Sequence, residues 1–206
     1  MAERETYHHG DLRQALIAAA LTLISEKNVE SVSLRNVARQ VGVSHAAPYR
    51  HFADKDALLA AVAAEGFQLL HDALEAAAHN VPDNPLKQLQ DIGIAYVHFA
   101  LEHSSHYRLM FGAYRTTTSQ PPTDLVEAAD NAFMVLVNAI IRGQQAGVMR
   151  ADDPRQLALV AWSLVHGLAM LLMDGQIPAI NPQSVTPLST TVTQLLIEGI
   201  AIASKP

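Results

Sequence analysis

The stretch Ser33-Leu34-Arg35-Asn36-Val37-Ala38-Arg39-Gln40-Val41-Gly42-Val43-Ser44-His45-Ala46-Ala47-Pro48-Tyr49-Arg50-His51-Phe52-Ala53-Asp54-Lys55 decides how the chain folds. Leu34, Val37, Ala38 and Val41 fall at i, i+3, i+4 and i+7, the apolar stripe of a short amphipathic helix. Ser33 stands at its N-cap, and Gly42 permits the left-handed backbone of a tight turn. Ser44 can cap a second short helix, and a third starts near Asp54. Helix, glycine turn and second helix make a helix-turn-helix, whose second helix enters the DNA major groove. That second helix offers the side chains of Ser44, His45, Tyr49, Arg50 and His51. Small Ala46 and Ala47 let its N-terminal end approach base edges or a thymine methyl. Pro48 removes about one intrahelical bond, so the helix is expected to be short and to start as 3₁₀. Phe52 is expected to anchor its far end in the core.

The block Ser33-Leu34-Arg35-Asn36-Val37-Ala38-Arg39, Gly42-Val43-Ser44, Tyr49-Arg50-His51-Phe52, Lys55 and Leu58-Leu59 resembles the tetracycline-repressor (TetR) family of bacterial regulators, over roughly residues 9–70. The resemblance implies an all-α protein of about nine helices. A three-helix DNA-binding domain would occupy 9–70, with the helix-turn-helix at about 33–52. A helical bundle for ligand binding and dimerisation would occupy 71–206. It further implies a dimeric, sequence-specific regulator, a repressor released from palindromic double-stranded operator DNA by an unknown small-molecule effector. No cofactor and no enzymatic activity are implied. The residues expected at the DNA are Ser33, Arg35, Ser44, His45, Ala46, Ala47, Tyr49, Arg50, His51 and Lys55.

Composition agrees with a helical protein. The 206 residues suffice for one large core or two small ones. Half are hydrophobic and only 5% aromatic, and strand-like alternation is scarce. The absence of cysteine excludes disulfides and thiolate metal sites. The charged start Met1-Ala2-Glu3-Arg4-Glu5 does not read as a signal peptide. The apolar run from Leu157 to Met173 is interrupted by Ser163, His166 and Gly167, and falls short of the ~20 residues of a membrane span. A cytoplasmic protein with no membrane partner is expected. Net charge is −6, yet residues 1–56 hold seven Lys/Arg against seven Asp/Glu, so the acidity lies in 57–206. DNA affinity must then come from placement, with Arg35 and Arg39 one turn apart and Arg50 and Lys55 nearby, rather than from net field.

Along the chain, residues 9–27 form a first helix with Leu12, Leu16, Ala19, Ala20 and Leu23 as its core stripe. Asn28 is expected as its left-handed C′ residue. The preceding Tyr7-His8-His9-Gly10 reads as a solvated arm. Asp54 caps a connector helix to about His79, with Lys55 beside a phosphate position in its first turn. Further helices are expected near 85–103, 104–113, 123–147, 153–174 and 185–203. Their methionines, aromatics and histidines suit an adaptable apolar cavity or an ordinary core. The pocket candidates are Tyr96, Phe99, His103, Tyr107, Met110, Phe111, Trp162, His166 and Met170, with Tyr114 just beyond the second helix. Trp162 and His166 share a helix face. Gly167, inside a helix, costs about 1 kcal/mol relative to Ala, which points to close helix approach or a ligand. This Trp-x3-His-Gly arrangement resembles the C-terminal regulatory domain of one TetR subgroup. The last two helices are apolar on more than one face, and Leu164, Leu168, Leu195, Leu196 and Ile200 are the candidates for a two-fold interface, with Ile202 recurring at the end. Two other classes stay open. One is a metal-responsive regulator using His98, His103 and His106, although Ser104-Ser105 is expected to break the helix between the last two. The other is a helical enzyme, for which no Gly-x-Ser-x-Gly, His-Glu-x-x-His or phosphate loop is present.

Overall fold

The computed structural model describes residues 9–81, 83–112, 121–177 and 182–201. Among these are eight α-helices: α1 (His9–Glu26), α2 (Leu34–Val41), α3 (Lys55–His79), α4 (Pro85–Glu102), α5 (Ser104–Phe111), α6 (Thr123–Gln145), α7 (Pro154–Met173) and α8 (Pro182–Ile200). Two 3₁₀ turns join them, Val29–Ser31 and Pro48–Arg50. The β pairing among the described residues is one isolated bridge, Met149 to Ala201. The all-α expectation holds, and most helix ends fall within a few residues of those read from the periodicity. Tyr7, His8, Tyr114 and Ile202 lie outside the described residues.

The chain divides into two compact units, Met1–Gly66 with Ser105–Val126, and Phe67–Ser104 with Glu127–Pro206. The division between the units falls within α3, and most of α5 groups with the first unit.

The first unit is built on Leu16, Ile17 and Ala20 of α1, Val37 and Ala38 of α2, and Leu58, Leu59 and Val62 of α3, all buried. Each large aliphatic side chain contributes about 1.5–3 kcal/mol. Tyr107, Leu109 and Met110 of α5 are buried as well. Gly66 is what lets α5 come close: a Cβ there would stand 2.6 Å from Met110 Sδ. Asn28 departs from expectation. Its φ is −179°, extended rather than left-handed, and its side chain accepts from Ser31 N at 2.9 Å. It closes no helix; it caps the 3₁₀ turn into which the chain passes directly.

In the second unit α4 packs on α7 and α8. Gly93 of α4 faces Thr193, whose Cγ2 would lie 2.5 Å from an added Cβ. The buried hydroxyls of Ser189 and Thr193 donate to the carbonyls of Val185 and Ser189, both at 2.8 Å. Each is therefore satisfied within its own helix. Asp153 caps α7 by accepting from the amides of Arg155 and Gln156 at 2.8 and 3.1 Å, with Pro154 at the first helical position. By length and composition α3 and α7 are each apolar enough to cross a bilayer, a test that the core helix of a folded domain also passes. More than half of that stretch of α3 is buried within the fold, against little over a quarter in α7. The apolar residues of α7 left outside include Leu159, Val160, Leu164 and Leu171.

Candidate nucleic-acid interface and ligand site

Ser33 has an extended backbone, and its hydroxyl accepts from Asn36 N at 3.1 Å. The Asn36 side chain in turn donates to Ser31 O at 2.9 Å, which ties the start of α2 to the preceding 3₁₀ turn. At the other end Gly42 is left-handed, with φ 78°. Val43 N donates to Ala38 O at 3.0 Å and Gly42 N to Arg39 O at 3.3 Å. These are the paired bonds that stop a helix and redirect the chain.

The second helix of the motif is not an α-helix. It is one 3₁₀ turn, Pro48–Arg50. Pro48 has no N–H, so it cannot bond back to Ser44 O. Instead Ala47 N donates to Ser44 O at 3.0 Å, Arg50 N to Ala47 O at 3.2 Å, and His51 N to Pro48 O at 2.9 Å. Ser44 serves through its carbonyl, and the turn has no side-chain cap. The expected 3₁₀ start is thus the whole element.

Pro48 and Phe52 are buried, and the Arg13 guanidinium lies 5.5 Å from the centre of the Phe52 ring. That contact adds about 0.5–1 kcal/mol. With these anchors inside, Ser44, His45, Ala46, Tyr49 and Arg50 are exposed, as are Arg35 and Arg39 on α2. Tyr49, at 62% exposure, is a large aromatic the core does not use. Ala47 and His51 are half-buried. Ser33 is engaged as a cap. Lys55 Nζ donates to Val29 O at 2.8 Å and Glu30 O at 3.4 Å. Its ammonium therefore ties the start of α3 to the Val29–Ser31 turn and keeps at most one proton for a phosphate.

The second unit brings together Tyr96, Trp162 and His166. The Trp162 indole N–H donates to the Tyr96 hydroxyl oxygen at 2.9 Å, and that oxygen lies 2.9 Å from His166 Nδ1. Burial holds the His166 imidazole below the usual histidine range. Phe133 of α6 meets the Trp162 ring edge-on, centroids 6.0 Å apart. Phe133, Asp153, Arg155, Gln156, Leu159 and Trp162 line an open groove of about 380 Å³. Phe133, Leu159 and the α7 cap had no signal in their local sequence, because the groove forms only when α6 meets α7.

The remaining pocket candidates fall in both units. Phe99 and His103 pack their rings 4.7 Å apart on α4, and Met170 is half-buried on α7. Tyr107, Met110 and Phe111 belong to the first unit, where the Tyr107 and Phe111 rings lie 4.8 Å apart. The three histidines weighed for metal have other neighbours. His98 Nε2 is 2.8 Å from Thr186 Oγ1, His103 rests on Phe99, and His106 faces Glu65 at 3.7 Å. No three His, Asp or Glu side chains among the described residues are grouped to hold an ion. A Cβ at Gly167 would meet nothing within 4 Å, so close approach within the protomer does not account for this glycine. Leu168 and Ile200, expected at an interface, are 7% and 5% exposed and belong to the protomer's own core. Leu164 and Leu195 are 40% and 63% exposed, and Leu196 is half-buried.

Comparison with known proteins bears on both units. A solved protein of unknown function from Rhodococcus sp. RHA1 is 34% identical over 97% of this chain and 100% of that one, with a TM-score of 0.86. The TetR family regulator PfmR from Thermus thermophilus is 20% identical, covers 89% of this chain and 97% of that one, and superposes with a TM-score of 0.69. At that identity it speaks for the fold alone. The nicotine-responsive transcriptional repressor HdnoR of Paenarthrobacter nicotinovorans is 40% identical over 35% of this chain. The match spans 43% of that repressor, less than half its length. Residues 16–62, which contain the capped helix and its glycine turn, match the description "bacterial regulatory proteins, tetR family". Residues 89–195 match the tetracyclin repressor-like C-terminal domain. That second match alone spans more than half of the chain, and with the helix-turn-helix before it the protein belongs to the tetR family of bacterial regulatory proteins.

Proposed function

We propose that the protein is a dimeric, sequence-specific DNA-binding transcriptional regulator, a repressor that a small-molecule effector releases from a two-fold symmetric operator. The observation that carries this reading is the exposed set Ser44, His45, Ala46, Tyr49 and Arg50 on a turn fixed by buried Pro48 and Phe52. A folded chain gains nothing internally from an aromatic, an imidazole and a guanidinium held outward on a rigid turn. A DNA groove uses all three. His45 and Ala46 face base edges, Tyr49 and Arg35 meet phosphates, and Arg50 takes a base or a phosphate. Lys55 acts mainly by positioning, through the carbonyls of Val29 and Glu30.

Dimerisation rests on α7. Val160, Leu164, Gly167 and Leu171 stand at i, i+4, i+7 and i+11, and the three side chains are exposed. Open space at Gly167 gives a partner helix room to approach, and Leu195 of α8 adds to the same kind of surface. The effector reading rests on Trp162, Tyr96 and His166 and on the Trp-x3-His-Gly subgroup likeness. The name of the Paenarthrobacter relative supports the class of effector-responsive repressors, without making nicotine the ligand here. Helix α3 begins in the first unit and ends in the second, so it offers a covalent route for the signal. A DNA partner places the protein in the cytoplasm, and no catalytic step enters.

Gel-shift titration on selected DNA tests the reading. Arg50→Ala should lose at least tenfold in affinity, about 1.4 kcal/mol. Tyr49→Phe should lose less and equally on all sequences, and His45→Ala should change base preference. Unchanged binding by Arg50→Ala would contradict the assignment.

A further inference from the structure

We propose that the groove walled by Phe133, Leu159 and Trp162 binds a small, uncharged aromatic molecule carrying one polar atom. The proposal rests on the effector-responsive reading above and names the ligand class and the place it enters. The groove's volume of about 380 Å³ lies in the range of small-molecule sites. Two of its walls are aromatic rings set edge to face at 61°, an arrangement that a third ring extends by offset or edge contact. The Trp162 ring is held in advance, because its N–H is bonded to Tyr96, so little rotamer freedom is lost on binding.

The charge of the ligand follows from what the rim groups already do. Asp153 accepts from two backbone amides at the start of α7. Arg155 stands 3.8 Å from Asp130 and 3.3 Å from the Met134 sulfur. The rim thus carries one charge of each sign, each with a partner already, and a neutral ligand enters without disturbing either. The exposed amide of Gln156 at the rim can meet one polar atom.

Trp162 is the one tryptophan in the chain, so a single indole N–H resonance reports this site. The full-length protein is titrated with acetophenone, benzoate and benzamidinium, which share one planar shape and carry no charge, a negative charge and a positive charge. Acetophenone should shift the indole resonance saturably, with at least tenfold tighter binding than either ion. Leu159→Glu should weaken acetophenone at least fivefold while the dimer persists in light scattering. Equal affinity for the three probes, or no shift, overturns the proposal. So does dissociation of the dimer by Leu159→Glu, which would give the groove to a second copy of the chain. The same samples are tested for DNA binding. No shift with DNA binding retained defeats this inference alone; a saturable shift without DNA binding supports the site and defeats the repressor reading.

Discussion

His166 shares a hydrogen-bonded chain with Tyr96 and Trp162, and its burial resists its protonation. Above about pH 6.5, the ordinary histidine value, the ring is neutral folded and unfolded, and its contribution to stability is fully present. As pH falls through 6.5 the unfolded chain takes up the proton while the folded one resists. Stability is therefore lost progressively down to the lower folded pKa. Urea midpoints should fall between pH 7.5 and 5.5, and fall less in His166→Gln; equal falls would show that burial does not hold this ring neutral. Single residues were legible where their partners are local. Ser33 and Gly42 act on amides and carbonyls within five positions, so cap and turn could be read directly. Lys55 was not legible in the same way, because its acceptors lie 25 and 26 positions earlier. Tyr96 is a pocket candidate by its residue type, but its bonds to Trp162 and His166, 66 and 70 positions on, required the fold.

Among the elements, α2 and the Pro48–Arg50 turn carry the surface proposed to face DNA, and Gly42 turns the chain between them. A side chain at φ 78° is strained even though an added Cβ would touch nothing. Gly42→Ala should cost about 1 kcal/mol, a fall of about 2–4 °C in Tm for a chain of this length. Calorimetry showing no change would mean the left-handed turn is not held in solution. The eight α-helices were legible, because apolar spacing at 3.6 residues is a property of each segment alone. The second helix of the motif was only half legible. Pro48 announced a lost bond, but the reduction to a single 3₁₀ turn, with Pro48 and Phe52 buried at its two ends, had no local signal. Asn28 suits a left-handed stop or an N-cap equally well, and the next three residues, closing into 3₁₀, decided for the cap.

At the scale of the molecule, the units were less legible than the helices. Nothing in α5 marks it as packing with the first unit; the decisive contact is Met110 against Gly66, which lies 44 positions earlier. The surplus of apolar residues on α7 was legible, but which of them face outward was not. Leu168 turns into the core and Leu164 does not. Leu164→Glu should therefore spare the protomer's helicity and break the dimer, since a charge buried unpaired between subunits is strongly unfavourable. Light scattering that finds an intact dimer would move the interface elsewhere. Two copies of the 33–52 motif are expected to read one DNA site together. Sequencing of genomic fragments recovered with the purified protein decides this. The expected result is an enriched site made of two inverted half-sites, their centres one helical turn of about 34–36 Å or a multiple of it apart, and lost with Arg50→Ala. Recovery of no common sequence, or of a single asymmetric site bound by one chain, would contradict it.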